Sequence, residues 1–179
     1  MATDLLDSYS RASAWTLTKV ADAADRLDAE TPCDGWDVRT LMNHMLETQR
    51  YFLSAARGVD AEPPGAEPPE LLGPDPLADF AGGRSRTLES FGAPGVIEKA
   101  GSSLAIAFSD QLLHGWDLAV ATDQDATMPP DLAAQAFETI HGRFTEDQRR
   151  GVFKPEIEVG DDASPQEKLL AYTGRDPGR

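Results

Sequence analysis

Apolar positions along this chain recur at helical rather than alternating intervals. From Leu5 to about Leu27, the residues Leu6, Tyr9, Ser13, Leu17, Val20, Ala24 and Leu27 run down one side of a helix. The turn-rich TPCDGWD (31–37), with Pro32 and Gly35, ends that pattern. Asp37 then stands where a helix cap is needed. Val38, Leu41, Met42, Met45 and Leu46 follow in an i, i+3, i+4, i+7, i+8 stripe, the mark of a helix facing a core, which runs to about Arg57.

Residues 58–74 (GVDAEPPGAEPPELLGP) are rich in Pro, Gly and Glu and predict a long surface loop. Asp75 followed by Pro76 predicts the start of a third helix that ends near Phe91. After GAPG (92–95), Ser102 or Ser103 is placed to cap a fourth helix through about Ala121. Its opening run, Leu104 to Phe108, is apolar nearly all round and implies a central position. A fifth helix is expected from roughly Leu132 to Thr145. Ser164-Pro165-Gln166-Glu167 has capping-box spacing, so a short helix from Gln166 to Tyr172 should follow, with Gly174 as its stop. GVFKPEIEVG (151–160) alternates, but Pro155 interrupts it. The predicted architecture is all-α: a four-helix bundle with an additional helix and a short C-terminal helix. One domain is expected over 1–179, with 58–74 as a surface loop and 151–179 as a C-terminal extension.

Composition narrows the function. Sixteen Lys and Arg against 31 Asp and Glu leave a formal charge of −15. A polyanion needs basic contacts to displace its counterions, so nucleic acid is not the expected partner, and an anionic membrane surface is disfavoured for the same reason. No stretch reaches the roughly 18 apolar residues of a membrane span, and MATDLLDSYS has neither the basic nor the apolar region of a secretory signal. With Cys33 the single cysteine, no intrachain disulfide can form, and the cytoplasm is the expected compartment.

The fourth helix carries DQLLHGWD (110–117) within its apolar run. On a helix, Asp110 and His114 lie one turn apart on one side, half of a metal site. His44, on the flank of the stripe in the second helix, is the best third candidate. Two imidazoles and one carboxylate suit zinc with one open position, or the facial triad of non-haem iron, and spacing does not separate them. Asp117, a further turn along, suits a solvated charge, or a group that orients an imidazole or assists in acid–base chemistry, better than a ligand. His141, next to Gly142 near a helix end, suits a partly exposed cation. Trp36 and Trp116 suit packing, and Cys33, close enough to offer a soft ligand or nucleophile, better suits a merely buried thiol. The bland alternative is an ordinary i, i+4 pair worth a few tenths of a kcal/mol, about 0.2–0.5, and a core histidine.

Three motifs bear on that choice: TPCDGWDVRTLMNHMLETQRYF (31–52), FSDQLLHGWDLAVAT (108–122) and DDASPQEKLLAYTGRDP (161–177). Together they resemble the actinobacterial metal-binding proteins related to the N-terminal domain of mycothiol-dependent maleylpyruvate isomerase, within the DinB-like superfamily. The resemblance implies a divalent metal between helices of a four-helix bundle, usually zinc, with nickel or iron as alternatives. It places the ligands at His44, Asp110 and His114. The isomerase itself has glutamate where this chain has Asp110, one methylene longer. It also has a second, C-terminal domain that completes its active site, so for a chain ending at Arg179 the expectation is the metal-bearing module without maleylpyruvate isomerisation. Two uses of the site follow by analogy. One is a thiol-dependent transferase or isomerase, with mycothiol as cosubstrate and an electrophilic small molecule as partner. The other is a non-catalytic metal- or ligand-binding protein. A homodimer is compatible with either.

Overall fold

A computed structural model of the chain describes residues 2–178. Among them seven helices form: α1 (Ala2–Ala23), α2 (Val38–Ala56), α3 (Pro76–Phe91), α4 (Val96–Ala121), α5 (Pro130–Ile140), α6 (Glu146–Val152) and α7 (Pro165–Tyr172). No sheet forms among the described residues, whose one isolated bridge joins Glu30 and Asp37. The all-α expectation holds. The chain divides into two compact units, Met1–Ala126 with α1 to α4 and Thr127–Arg179 with α5 to α7.

In the first unit the four helices pack as a bundle. The predicted stripe of α2 is its centre: Val38, Leu41, Met42, Met45 and Leu46 are buried with Val20 and Ala23 of α1, Phe80 of α3 and Leu118 of α4. Each large apolar side chain so enclosed contributes about 1.5–3 kcal/mol. Helix α4 is buried over most of its length from Leu104 to Ala119, as its unbroken apolar run requires. The loop before α3 is tied back onto α2. Asn43 Oδ1 accepts from the backbone N–H of Leu71 and of Leu72 at 2.7 and 2.8 Å, and Asn43 Nδ2 donates to Glu70 Oε1 at 2.9 Å.

Asp37 caps α2 as expected, accepting from the Thr40 N–H at 2.8 Å and the Thr40 hydroxyl at 2.7 Å. Asp37→Ala is expected to cost about 1 kcal/mol in urea unfolding, and Asp37→Asn much less. The Thr40 hydroxyl, with backbone N–H help and against a small burial penalty, holds the Asp37 carboxyl below its ordinary 3.8. The cap's pH-linked contribution is therefore complete above 3.8 and lost as pH falls through the lower folded-state value.

Three helices have boundaries that differ from expectation. Helix α1 begins at Ala2 and stops at Ala23, short of Leu27. Helix α4 begins at Val96, not after Ser102 or Ser103, with Gly95 in the left-handed region at φ 79° turning the chain into it. Serine resembles a cap in sequence. Inside a helix, where its own N–H is already bonded, it costs only up to about 0.7 kcal/mol. Helix α5 ends at Ile140, before a turn with Gly142 at φ 71°, and α6 was not foreseen. Thr145 and Gln148 form a full capping box there, so Thr145 starts a helix where the sequence pattern has it ending one.

In the second unit Leu132, Ala133, Ala136 and Ile140 of α5 are buried, as are Leu169, Leu170, Ala171 and Tyr172 of α7. The Ser164 capping box of α7 forms as predicted. Arg149 Nη2 donates to the Tyr172 carbonyl at 2.7 Å, its guanidinium lying 4.1 Å from the centre of the Tyr172 ring.

Candidate metal centre

The bundle brings α2 and α4 together so that His44 faces Asp110 and His114. Each of the three offers a ligand atom within 4.8 Å of the others. The two imidazoles meet edge to face, with centroids 5.0 Å apart and planes at 81°. His114 Nε2 is 3.4 Å from Asp110 Oδ1. Ligands about 2.0 Å from a tetrahedral zinc are roughly 3.3 Å apart, so this edge already has the length that coordination needs. Asp110 Oδ2 is buried and has no hydrogen-bond partner among the described residues. A buried acceptor of that kind is rare unless an ion or water satisfies it. The donor set, the edge length and the unsatisfied oxygen all fit a divalent cation.

The other face of the His114 ring is held by Asp117. Asp117 Oδ2 lies 3.0 Å from His114 Nδ1, and the Asp117 side chain is 0% exposed, against 12% for His114 and 17% for Asp110. In the neutral ring, a carboxylate on Nδ1 favours the tautomer that leaves the Nε2 lone pair toward Asp110. Burial alone would push the His114 pKa down. The charge of Asp110 and hydrogen bonds with Asp110, Asp117 and Cys33 outweigh it and hold the imidazole well above its ordinary 6.5. Nε2, the ring atom toward Asp110, is on the side where a cation shared with His44 would sit.

The surroundings are part packing, part polar. Trp116 is a core residue, 1% exposed. Trp36 lies 4.8 Å from the His44 ring, tilted against it, and its indole N–H donates to the Ala66 carbonyl at 3.2 Å. Tyr9 of α1 is buried, and its hydroxyl is pushed up to about 12, first by burial and further by the charge of Asp110, with Thr87 and Arg84 opposing. Tyr9 thus stays a neutral phenol and leaves the charge of Asp110 for the centre.

Of two further groups near these residues, Glu47 was not singled out by sequence, and Cys33, expected to be a buried thiol, is partly exposed. Glu47, one turn after His44, has a buried Oε2 with no hydrogen-bond partner among the described residues; its i+3 spacing from His44 is a signal that could have found it. Cys33 donates its thiol to Asp117 Oδ2 at 3.4 Å. It sits in a turn 84 residues from Asp117, and no local spacing announces that contact. His141 is exposed at the end of α5, its ring against Phe137 and Tyr172, and belongs to neither group of potential ligands among the described residues.

The sequence profile of the mycothiol maleylpyruvate isomerase N-terminal domain matches residues 8–119, a span holding His44, Asp110, His114 and Asp117. Two relatives from two strains of Mycobacterium tuberculosis, "Uncharacterized protein Rv0738" and "Uncharacterized protein MT0763", are each 30% identical over 166 residues, covering 85% of this chain and 86% of theirs. No solved structure matches the chain. With α1 to α4 built as a bundle and most of the chain matched, this protein belongs to the family of the mycothiol maleylpyruvate isomerase N-terminal domain.

Proposed function

We propose that His44, Asp110 and His114 hold a divalent metal, zinc first among candidates, and that the protein uses it to act on a low-molecular-weight thiol of the mycothiol type as a transferase or isomerase. The observation that carries this reading is the convergence of three donor atoms within 4.8 Å, on two helices whose neighbouring positions are core. Family membership supports the thiol. When bound, such an ion keeps a coordinated thiol deprotonated near neutral pH, ready for attack on an electrophilic small molecule.

The chain's own residues then have distinct work. Asp117 holds the proton on His114 Nδ1 and orients the ring. Trp36 walls one side of His44 and keeps bulk water from that face. Asp110, with one oxygen toward His114 Nε2 and the other unsatisfied, supplies the charge that offsets the cation. Among the described residues no helix is long and apolar enough to cross a membrane; we place the reaction in the cytoplasm, where thiols stay reduced. A non-catalytic binding role is the second reading, favoured by how enclosed His114 and Asp117 are.

Elemental analysis of protein purified without added metal tests the site. Wild type and Cys33→Ser should each carry about one divalent ion per chain, and Cys33→Ser with His44→Ala should carry far less; equal content in the two Cys33→Ser proteins would end the assignment. Asp117→Asn should keep the ion but weaken its affinity about 10- to 100-fold in a chelator competition, the usual effect of losing the group behind a ligating histidine. Loading the holo-protein with mycothiol and a panel of electrophiles then separates the two readings. Transfer that survives removal of the ion would discard the thiolate mechanism.

A further inference from the structure

We infer that the chain carries a second, thiolate-containing set of metal donors, Cys33, His114 and Asp117, which competes with the first set for the single His114 ring. The three offer ligand atoms within 4.8 Å of one another. Their separations are 3.4 Å for Cys33 Sγ to Asp117 Oδ2 and 3.0 Å for His114 Nδ1 to the same oxygen. A tetrahedral ion with sulfur at 2.3 Å and oxygen or nitrogen near 2.0 Å has edges of roughly 3.5 and 3.3 Å. Small side-chain adjustments suffice to close such a site.

Cys33 is built into position. Its N–H donates to Thr31 Oγ1 at 3.1 Å, its carbonyl accepts from the Trp36 N–H at 3.1 Å, and Thr31 and Trp36 are themselves paired through the backbone. The turn therefore holds the sulfur over α4, and Cys33 remains partly exposed, within reach of an incoming ion.

One ring serves both sets by changing tautomer. A neutral imidazole has one lone pair. With a cation on Nε2, the Nδ1–H points to Asp117; with a cation on Nδ1, the Nε2–H points to Asp110. Each carboxylate is a ligand in one state and the ring's hydrogen-bond acceptor in the other. Occupancy is therefore exclusive, one ion per chain. Binding at the second set involves no redox change: the Cys33 thiol proton leaves to solvent, and an imidazolium loses one more. Softness selects between the sets, cadmium favouring the thiolate and manganese the nitrogen and carboxylate donors.

The test is a cadmium titration of the full-length, chelator-stripped, reduced protein, followed by ultraviolet sulfur-to-cadmium charge-transfer absorption. Since Cys33 is the only cysteine, any such band reports on it. The band should saturate at one equivalent in wild type, persist in His44→Ala and vanish in Cys33→Ser. In His114→Ala it should need at least roughly tenfold more cadmium. Absence of the band in wild type, saturation at two equivalents, or a His114→Ala titration matching wild type would each overturn the inference. Circular dichroism of each variant checks that it folds. The inference shares His114 with the reading above but does not depend on it: equal native metal in Cys33→Ser and in Cys33→Ser with His44→Ala would end that reading and leave the cadmium result standing.

Discussion

Chelator-treated protein with His114 replaced by alanine is expected to take up no ion at the proposed centre and to be less stable than wild type by about 3–5 kcal/mol at neutral pH, the usual cost of removing one partner from a buried charged group. His114 lies between Asp110 and Asp117, 3.4 and 3.0 Å from them, with at most a sixth of any of the three side chains in water. Without the ring, two enclosed carboxylates face one cavity with no compensating cation. The two proteins should also differ in their response to pH. In metal-free wild type the raised proton affinity of His114 stabilises the fold fully below 6.5, and that contribution is lost as pH rises through the higher folded-state value. The variant lacks that group, so this loss of stability with rising pH should be missing from it. Urea unfolding from roughly pH 5 to 8, the histidine range, reads both slopes. A variant as stable as wild type at pH 7 would mean that the ring does not bridge the two acids.

Gly115→Ala is the second large effect, expected at about 1–3 kcal/mol of destabilisation. A Cβ at Gly115 would come within 2.6 Å of Trp15 Cζ3 and 2.7 Å of Thr16 Oγ1. That hydroxyl already donates to the Gln111 carbonyl at 2.7 Å, so it has little freedom to yield. Helix α1 would have to retreat from α4 next to His114. Gly101→Ala, on the same helix, is the control. Its nearest contact is 3.3 Å to Ile97 Cγ2, a movable side-chain atom, and the better helix propensity of alanine should make it neutral or stabilising by up to about 1 kcal/mol. Thermal unfolding of the pair gives the sign directly. Equal transition temperatures would show that the α1–α4 approach is looser than the distances indicate.

Local chemistry made much of this legible in advance. Asp37 at a cap, Pro76 at a first helical position and the Ser164–Glu167 box each act within one turn of chain, and each forms as the sequence implies. The start of α4 was obscured because Ser102 and Ser103 offer capping chemistry that nothing there needs, while the operative residue, Gly95, acts through backbone conformation. Helix α6 was hidden because apolar spacing carries α5 past its true end at Ile140. Asp110 and His114 announced themselves by i, i+4 spacing. Their pairing with His44 spans two helices: the apolar stripe of α2 offered His44 as a candidate, and the family motif strengthened it. The Cys33–Asp117 contact, joining a turn to a helix, left no periodic trace.

Asn43 and His44 share a peptide bond, but their side chains leave α2 in different directions, one gripping the amides of Leu71 and Leu72 and the other meeting Asp110 and His114. Any roll of the helix that would re-aim the imidazole must drag the neighbouring amide against two short hydrogen bonds. The proline-rich connection is thereby a torsional stop: it sets the angle at which the ring points, although no atom of it belongs to the candidate donor set.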